Sequence, residues 1–204
     1  MAKNLISKNE KFFDFISQYY NSFSGGNSLK IYNKMIKVLD IKDKSKVLDA
    51  GCGTGNLLYF LYKRNRNISL YGIDVSSKML SFAREKFDRA KVTIELKKES
   101  VENISFNAGF FDFVFSVDAF HHYSNPFAAF KKFYYVLKKG GKLAIIDFDF
   151  GMIGNKIFHY LEPGNKKGYS KKEIYNFYVE NGFGNIKQYK LGWFSWLTIG
   201  TKLK

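Results

Sequence analysis

The ten residues Val47-Leu48-Asp49-Ala50-Gly51-Cys52-Gly53-Thr54-Gly55-Asn56 constrain this chain more than any others. A short apolar run ends in a carboxylate, glycines recur at every second position, and Leu57-Leu58-Tyr59-Phe60-Leu61-Tyr62 then starts a helical pattern. Strand, tight turn and helix in that order open a nucleotide-binding α/β sheet, and glycines let the backbone turn sharply where a ligand must approach closely. A dinucleotide fingerprint, G-x-G-x-x-G, would place its third glycine at position 56, which is Asn56; here the glycines are Gly51, Gly53 and Gly55. Asp49 just before the turn would repel a pyrophosphate on the helix N-terminus but suits a ligand carrying an ammonium and a sulfonium. An incidental glycine-rich turn and a dinucleotide site of altered spacing remain open from this stretch alone.

The second carboxylate sharpens the reading. Ile68 to Ile73 forms a strand pattern closing on Asp74, about 20 residues beyond the turn, where an acidic side chain can accept both ribose hydroxyls of an adenosine. Val75-Ser76-Ser77-Lys78-Met79-Leu80 follows, with Ser76 a natural N-cap. Together these segments resemble the class I S-adenosylmethionine-dependent methyltransferases: the G-x-G-x-G turn matches their first motif and Asp74 to Leu80 their D-x-S-x-x-M-L pattern. Within that family the chain is most similar to the small-molecule group that includes quinone-biosynthesis enzymes.

The resemblance implies more along the chain. Phe13-Asp14-Phe15-Ile16 with Tyr20 looks like an N-terminal lid helix, although the family pattern ends Tyr-Asp and this chain has Tyr20-Asn21. Those aromatics could equally cap the sheet. Glu99-Ser100-Val101-Glu102 stands where the family has an Asp on the adenine amino group, here replaced by Ser100. Phe111 to Val117 is apolar enough for a central strand buried on both faces. Asp118-Ala119-Phe120-His121-His122-Tyr123-Ser124-Asn125-Pro126 looks like the family's loop after strand four; Asn125-Pro126 starts a helix that runs to Leu137 and ends at Lys138-Lys139-Gly140-Gly141, with a fifth strand, Leu143 to Asp147, beyond it.

The expected cofactor is S-adenosylmethionine, with S-adenosylhomocysteine as product. Its contacts are expected from Tyr20, Asp49, Gly51, Cys52, Gly53, Asn56, Asp74, Val75, Met79, Ser100, Val101 and Ser116. His121 and His122 are the candidate general bases, since imidazole titrates near neutrality; His159 and Tyr160 are weaker candidates. Adjacent histidines lack chelating spacing, so no metal is expected.

The expected fold class is α/β: a Rossmann-like, seven-stranded, mostly parallel sheet with an antiparallel C-terminal strand and helices on both faces. One domain spans 1–204, divided into a helical lid (1–40), a cofactor-binding half (41–150) and an acceptor-pocket segment with a C-terminal hairpin (151–204). Ser24-Gly25-Gly26-Asn27-Ser28 reads as a break before a helix from Leu29 to Leu39. Val92 to Leu96 reads as the third strand, and Ser170-Lys171-Lys172-Glu173 as a capping box.

Composition narrows the partners. The net charge of +15 comes almost wholly from scattered lysines, which fits a compositional bias better than a dedicated polyanion site. No apolar run approaches the ~20 residues of a membrane span. With Cys52 as the sole cysteine no internal disulfide can form, which fits a cytoplasmic setting. The acceptor is expected to be small and hydrophobic or aromatic, with nucleic acid set aside: no N/D-P-P-Y/F/W motif follows strand four, and the cysteine lies in the turn. An RNA-directed methyltransferase and a non-catalytic cofactor-binding protein of the same fold are the alternatives.

Overall fold

The computed structural model describes residues 13–14, 25–151, 154–155 and 167–204. Seven strands form one sheet: β1 Lys46–Ala50, β2 Ser69–Asp74, β3 Glu95–Lys98, β4 Phe111–Val117, β5 Leu137–Phe148, β6 Phe183–Lys190 and β7 Ser195–Lys202. Their order is β3-β2-β1-β4-β5-β7-β6. The first five run parallel, β7 lies antiparallel to β5, and β6 antiparallel to β7. The expected seven-stranded architecture is present.

Alternation along β1 and β4 explains how the sheet is covered. Leu48 and Val114 face a cluster with Phe120, Phe130, Phe133, Ile174 and Tyr178. Val47, Phe113 and Phe115 face the other side, toward Met35, Leu58, Leu61 and Phe87. The helices α1 (Gly25–Val38), α2 (Asn56–Arg64) and α3 (Ser77–Arg89) therefore cover one face, and α4 (Pro126–Val136) and α5 (Lys171–Glu180) the other. Caps sit where the sequence puts them. Ser76 and Asn125 accept from the N–H groups of Met79 and Ala128, and Ser170 and Glu173 close a reciprocal capping box.

Three boundaries differ from expectation. The glycines of the expected break lie within α1, which begins at Gly25; burial of Tyr32, Met35 and Leu39 outweighs their low helix propensity. The third strand lies three residues later, because the chain leaves α3 through Lys91 at φ 55° and Val92 N–H bonds back to the Phe87 carbonyl. Val92 and Ile94 pack on the core instead, and Glu95 to Lys98 pair with Tyr71 to Asp74. The fifth strand starts early: Leu137 pairs with Phe111 and Lys142 with Phe113, so Lys138 to Gly141 form a bulge in β5 and not a helix end. Of the expected lid helix only Phe13 and Asp14 are described, both helical; most of the segment between β5 and α5 also lies outside the described residues.

Candidate active site

Parallel strands carry their ligands at their carboxyl ends, and here those ends bring four carboxylates to one edge: Asp49 on β1, Asp74 on β2, Asp118 after β4 and Asp147 near the end of β5. Gly51, Gly53 and Gly55 all have positive φ, at 77°, 52° and 73°. The N–H groups of Gly51 and Cys52 both bond the Ile73 carbonyl, at 2.9 and 3.0 Å, strapping the turn to β2. A Cβ on Gly51 would lie 2.8 Å from that of Ala119, whereas one on Gly53 would enter open space. The turn is thus tight on one side and hollow on the other.

Two adjoining cavities share Gly51, Gly53 and Asp118. The larger, about 680 Å³ with its mouth, is walled by Val75, Met79 and Val101 on its apolar side, with Asp74, Ser100 and Glu102 as polar groups and Phe13, His122 and Tyr123 beyond. The smaller meets Asp49, Cys52, Asn56, Tyr32 and Ser28.

Asp74 does two things. Its Oδ2 accepts the Gly53 N–H and its Oδ1 the Ser76 N–H, both at 2.8 Å, so it clamps the turn while facing the larger cavity. Burial raises its carboxyl while these amides oppose the shift. Asp49 is harder to ionise: burial first, then the charge of Asp74, pushes it to about 8. Its Oδ1 is buried with no hydrogen-bond partner among the described residues. Burial likewise drives the Cys52 thiol well up, so that it stays protonated in the turn.

His121 and His122 diverge. His121 is buried; its backbone N–H donates to Asp147 Oδ2 at 3.1 Å and its Nδ1 meets Asp147 Oδ1 at 2.7 Å. A carboxylate only accepts, so Nδ1 carries the proton. His122 lines the larger cavity, with Phe13 edge-on at 4.8 Å between ring centres and His121 at 4.0 Å.

Ser116 differs from expectation. It is fully buried behind the cavity wall, its hydroxyl 2.7 Å from that of Tyr123, which donates to the Ala50 carbonyl at 3.0 Å. Asn56 reaches the smaller cavity while its side-chain carbonyl accepts from Lys86, whose Nζ also bonds the Thr54 carbonyl at 2.6 Å. Ser100 faces the larger cavity, but its hydroxyl is engaged with Glu102. Tyr20, His159 and Tyr160 lie outside the described residues. Sequence reasoning missed Tyr123, Glu102, Asp147 and the bond from Ser76 to Asp14. Only Asp147 carried a usable signal, a carboxylate near the end of a parallel strand, like Asp49 and Asp74. Among the described residues no group of three or more metal-ligating side chains forms a metal site.

A buried carboxylate oxygen without a partner among the described residues, a second carboxylate at the end of β2 facing the cavity and a glycine hollow between them fit S-adenosylmethionine and oppose a pyrophosphate. The comparisons agree. A methyltransferase-domain family matches residues 47–141. Those residues carry a methyltransferase domain. It is 32% identical over 126 residues, 62% of its length, to phosphoethanolamine N-methyltransferase 3 of Arabidopsis thaliana, covering 26% of that protein. The chain spans about a quarter of the length of this and the other phosphoethanolamine N-methyltransferases of plants that it matches. The same fold recurs in an S-adenosylmethionine-dependent methyltransferase of Aquifex aeolicus, with TM-score 0.77, 23% identity and coverage of 92% of this chain and 98% of that one. It recurs too in phosphoethanolamine N-methyltransferase 2 of Haemonchus contortus, solved with S-adenosylhomocysteine, with TM-score 0.81, 18% identity and coverage of 94% and 58%.

Proposed function

We propose that this protein transfers the methyl group of S-adenosylmethionine to a small, hydrophobic or aromatic acceptor. The observation that carries the reading is Asp49: a buried carboxylate with one oxygen lacking a hydrogen-bond partner among the described residues, its carboxyl pushed up to about 8 by burial and by Asp74, beside a glycine hollow. The ammonium of the cofactor would sit against it. Asp74 would take the ribose hydroxyls, Val75, Met79 and Val101 the adenine, with Ser100 at the purine edge.

The sulfonium brings an already activated methyl, so the protein's task is alignment in a dry site. Phe13, His122 and Tyr123 supply an aromatic wall for the acceptor beyond the adenosine pocket. His122 is placed to accept a proton from an acceptor that must lose one, and His121, fixed by Asp147, supports its ring from behind. Asp118 and Glu102 on the same cavity favour a second reading, an acceptor bearing an amine, in keeping with the phosphoethanolamine enzymes among the relatives. The lone, protonated Cys52 fits work in the reducing cytoplasm.

Calorimetric titration with S-adenosylhomocysteine, with NAD as control, tests the cofactor site. Micromolar binding that Asp74→Ala abolishes, with no response to NAD, is expected; a wild-type protein that ignores S-adenosylhomocysteine ends the enzyme reading. Labelled-methyl transfer to phenolic, carboxylic and amine acceptors then separates the two acceptor classes.

A further inference from the structure

The hairpin joining β6 to β7 turns through Leu191-Gly192-Trp193-Phe194, closed by the Leu191 and Gly192 N–H groups on the Ser195 carbonyl. Trp193 is 89% exposed and Phe194 49%. Burying a tryptophan is among the largest apolar gains open to a chain, so one left in water at a hairpin tip contributes little to this fold. The surroundings are basic. Lys34 of α1 donates to the Leu191 carbonyl, and Lys34 and Lys190 line the same surface depression as Trp193. Lys30, Lys34 and Lys37 recur at helical spacing and are all exposed, so they stand along one face of α1. Neither α1 nor the stretch from Phe183 to Lys204 contains a single Asp or Glu. Asp149, whose N–H donates to the Phe194 carbonyl at 2.8 Å, brings one carboxylate to the base of this tip, where the lysines outnumber it.

Register places the tip relative to the site. Asp147 pairs with Trp196 and Phe148 with Ser195, so Trp193 and Phe194 project from the sheet edge that holds the cofactor turn and His121. The Phe194 ring rests on Phe150, which stacks on Phe148 at the end of β5. An aromatic row thus runs from the end of β5 to the tip.

We propose that the β6–β7 tip docks this protein on an anionic lipid bilayer, with Trp193 and Phe194 entering the headgroup region and the α1 lysines and Lys190 meeting the phosphates. An apolar apex flanked by lysines matches a surface that is anionic outside and apolar within. A nucleic acid would satisfy the lysines and a second copy the aromatics, but a bilayer satisfies both. Binding is read without cofactor or acceptor, so this inference and the methyl-transfer reading fail separately.

The test is co-sedimentation of the full chain with phosphatidylcholine vesicles, with and without phosphatidylglycerol. Tryptophan emission is followed in Trp196→Phe, which leaves Trp193 as the sole reporter. Binding to the anionic vesicles only, weakened by salt and accompanied by a blue shift, is expected. Trp193→Ser should abolish it with an unchanged thermal transition, and Lys30→Glu and Lys37→Glu should each weaken it at least about fivefold. Absence of binding at low salt, or binding indifferent to Trp193→Ser, overturns the proposal. So does a dimer in sedimentation velocity that Trp193→Ser disperses, or single-stranded RNA that binds this tip more tightly than the vesicles.

Discussion

Asp147 grips His121 at two points, Oδ2 taking the backbone N–H at 3.1 Å and Oδ1 the ring Nδ1 at 2.7 Å, with both side chains buried. One carboxylate thereby fixes the position of the β4 loop and the tautomer of its first histidine. Asp147→Asn keeps the shape but can present an amide N–H to Nδ1, which reverses the tautomer. On the proposed chemistry kcat should fall by about 10²-fold or more, while the dissociation constant for S-adenosylhomocysteine stays within about twofold of wild type. Steady-state kinetics beside calorimetry would show it, and an unchanged kcat would remove Asp147 from the mechanism.

Tyr123 ties the same loop to the glycine turn, since its hydroxyl bridges Ser116 on β4 and the Ala50 carbonyl at the end of β1. Tyr123→Phe leaves both partners buried and short of a hydrogen bond, and should cost about 1–3 kcal/mol in urea unfolding. Ser116→Ala, which removes only one side of the bridge, should cost less. If the two variants unfold alike, the Ala50 bond is not what holds the loop.

Much of this architecture was legible in the sequence because local rules and tertiary packing agree there. The glycine turn, the carboxylate ending β2, the Ser76, Asn125 and Ser170 caps and the buried run of β4 each had one cheap conformation. What was missed is non-local. Nothing near Ser116 in sequence says that its hydroxyl is taken by Tyr123, and nothing near Asp147 says that it meets a histidine 26 positions earlier. The β5 bulge was misread because Lys-Lys-Gly-Gly terminates a helix and allows a bulge equally well; Phe111 pairing with Leu137 decides it.

Gly72 was read as part of a strand, yet it also makes room for the turn. A Cβ there would stand 2.8 Å from Cys52 Sγ and 2.7 Å from Leu96 Cδ2. Gly72→Ala should destabilise by about 1–3 kcal/mol through overpacking and weaken S-adenosylhomocysteine by displacing the Cys52 segment. Adding Cys52→Ala removes one clash and leaves that with Leu96, so the double variant should recover part of both losses. A double-mutant cycle on melting temperature and binding checks this, and strict additivity would show that the two residues do not press on each other.

Asp49 gives the sharpest test, because its carboxyl is pushed from an ordinary 3.8 to about 8 by burial and by Asp74. The folded, cofactor-free protein prefers Asp49 protonated. The stability this group contributes is whole below about pH 4 and lost as pH rises toward 8. An ammonium placed against it reverses the preference, so binding at neutral pH must expel a proton. The dissociation constant for S-adenosylhomocysteine should therefore fall roughly tenfold per unit as pH climbs toward 8 and level off above it. Asp49→Asn should bind weakly with a flat profile, and its cofactor-free form should melt higher than wild type at pH 8. Calorimetry in buffers of different ionisation enthalpy counts the released proton directly. A flat wild-type profile with no proton released would mean that the ammonium does not sit on Asp49.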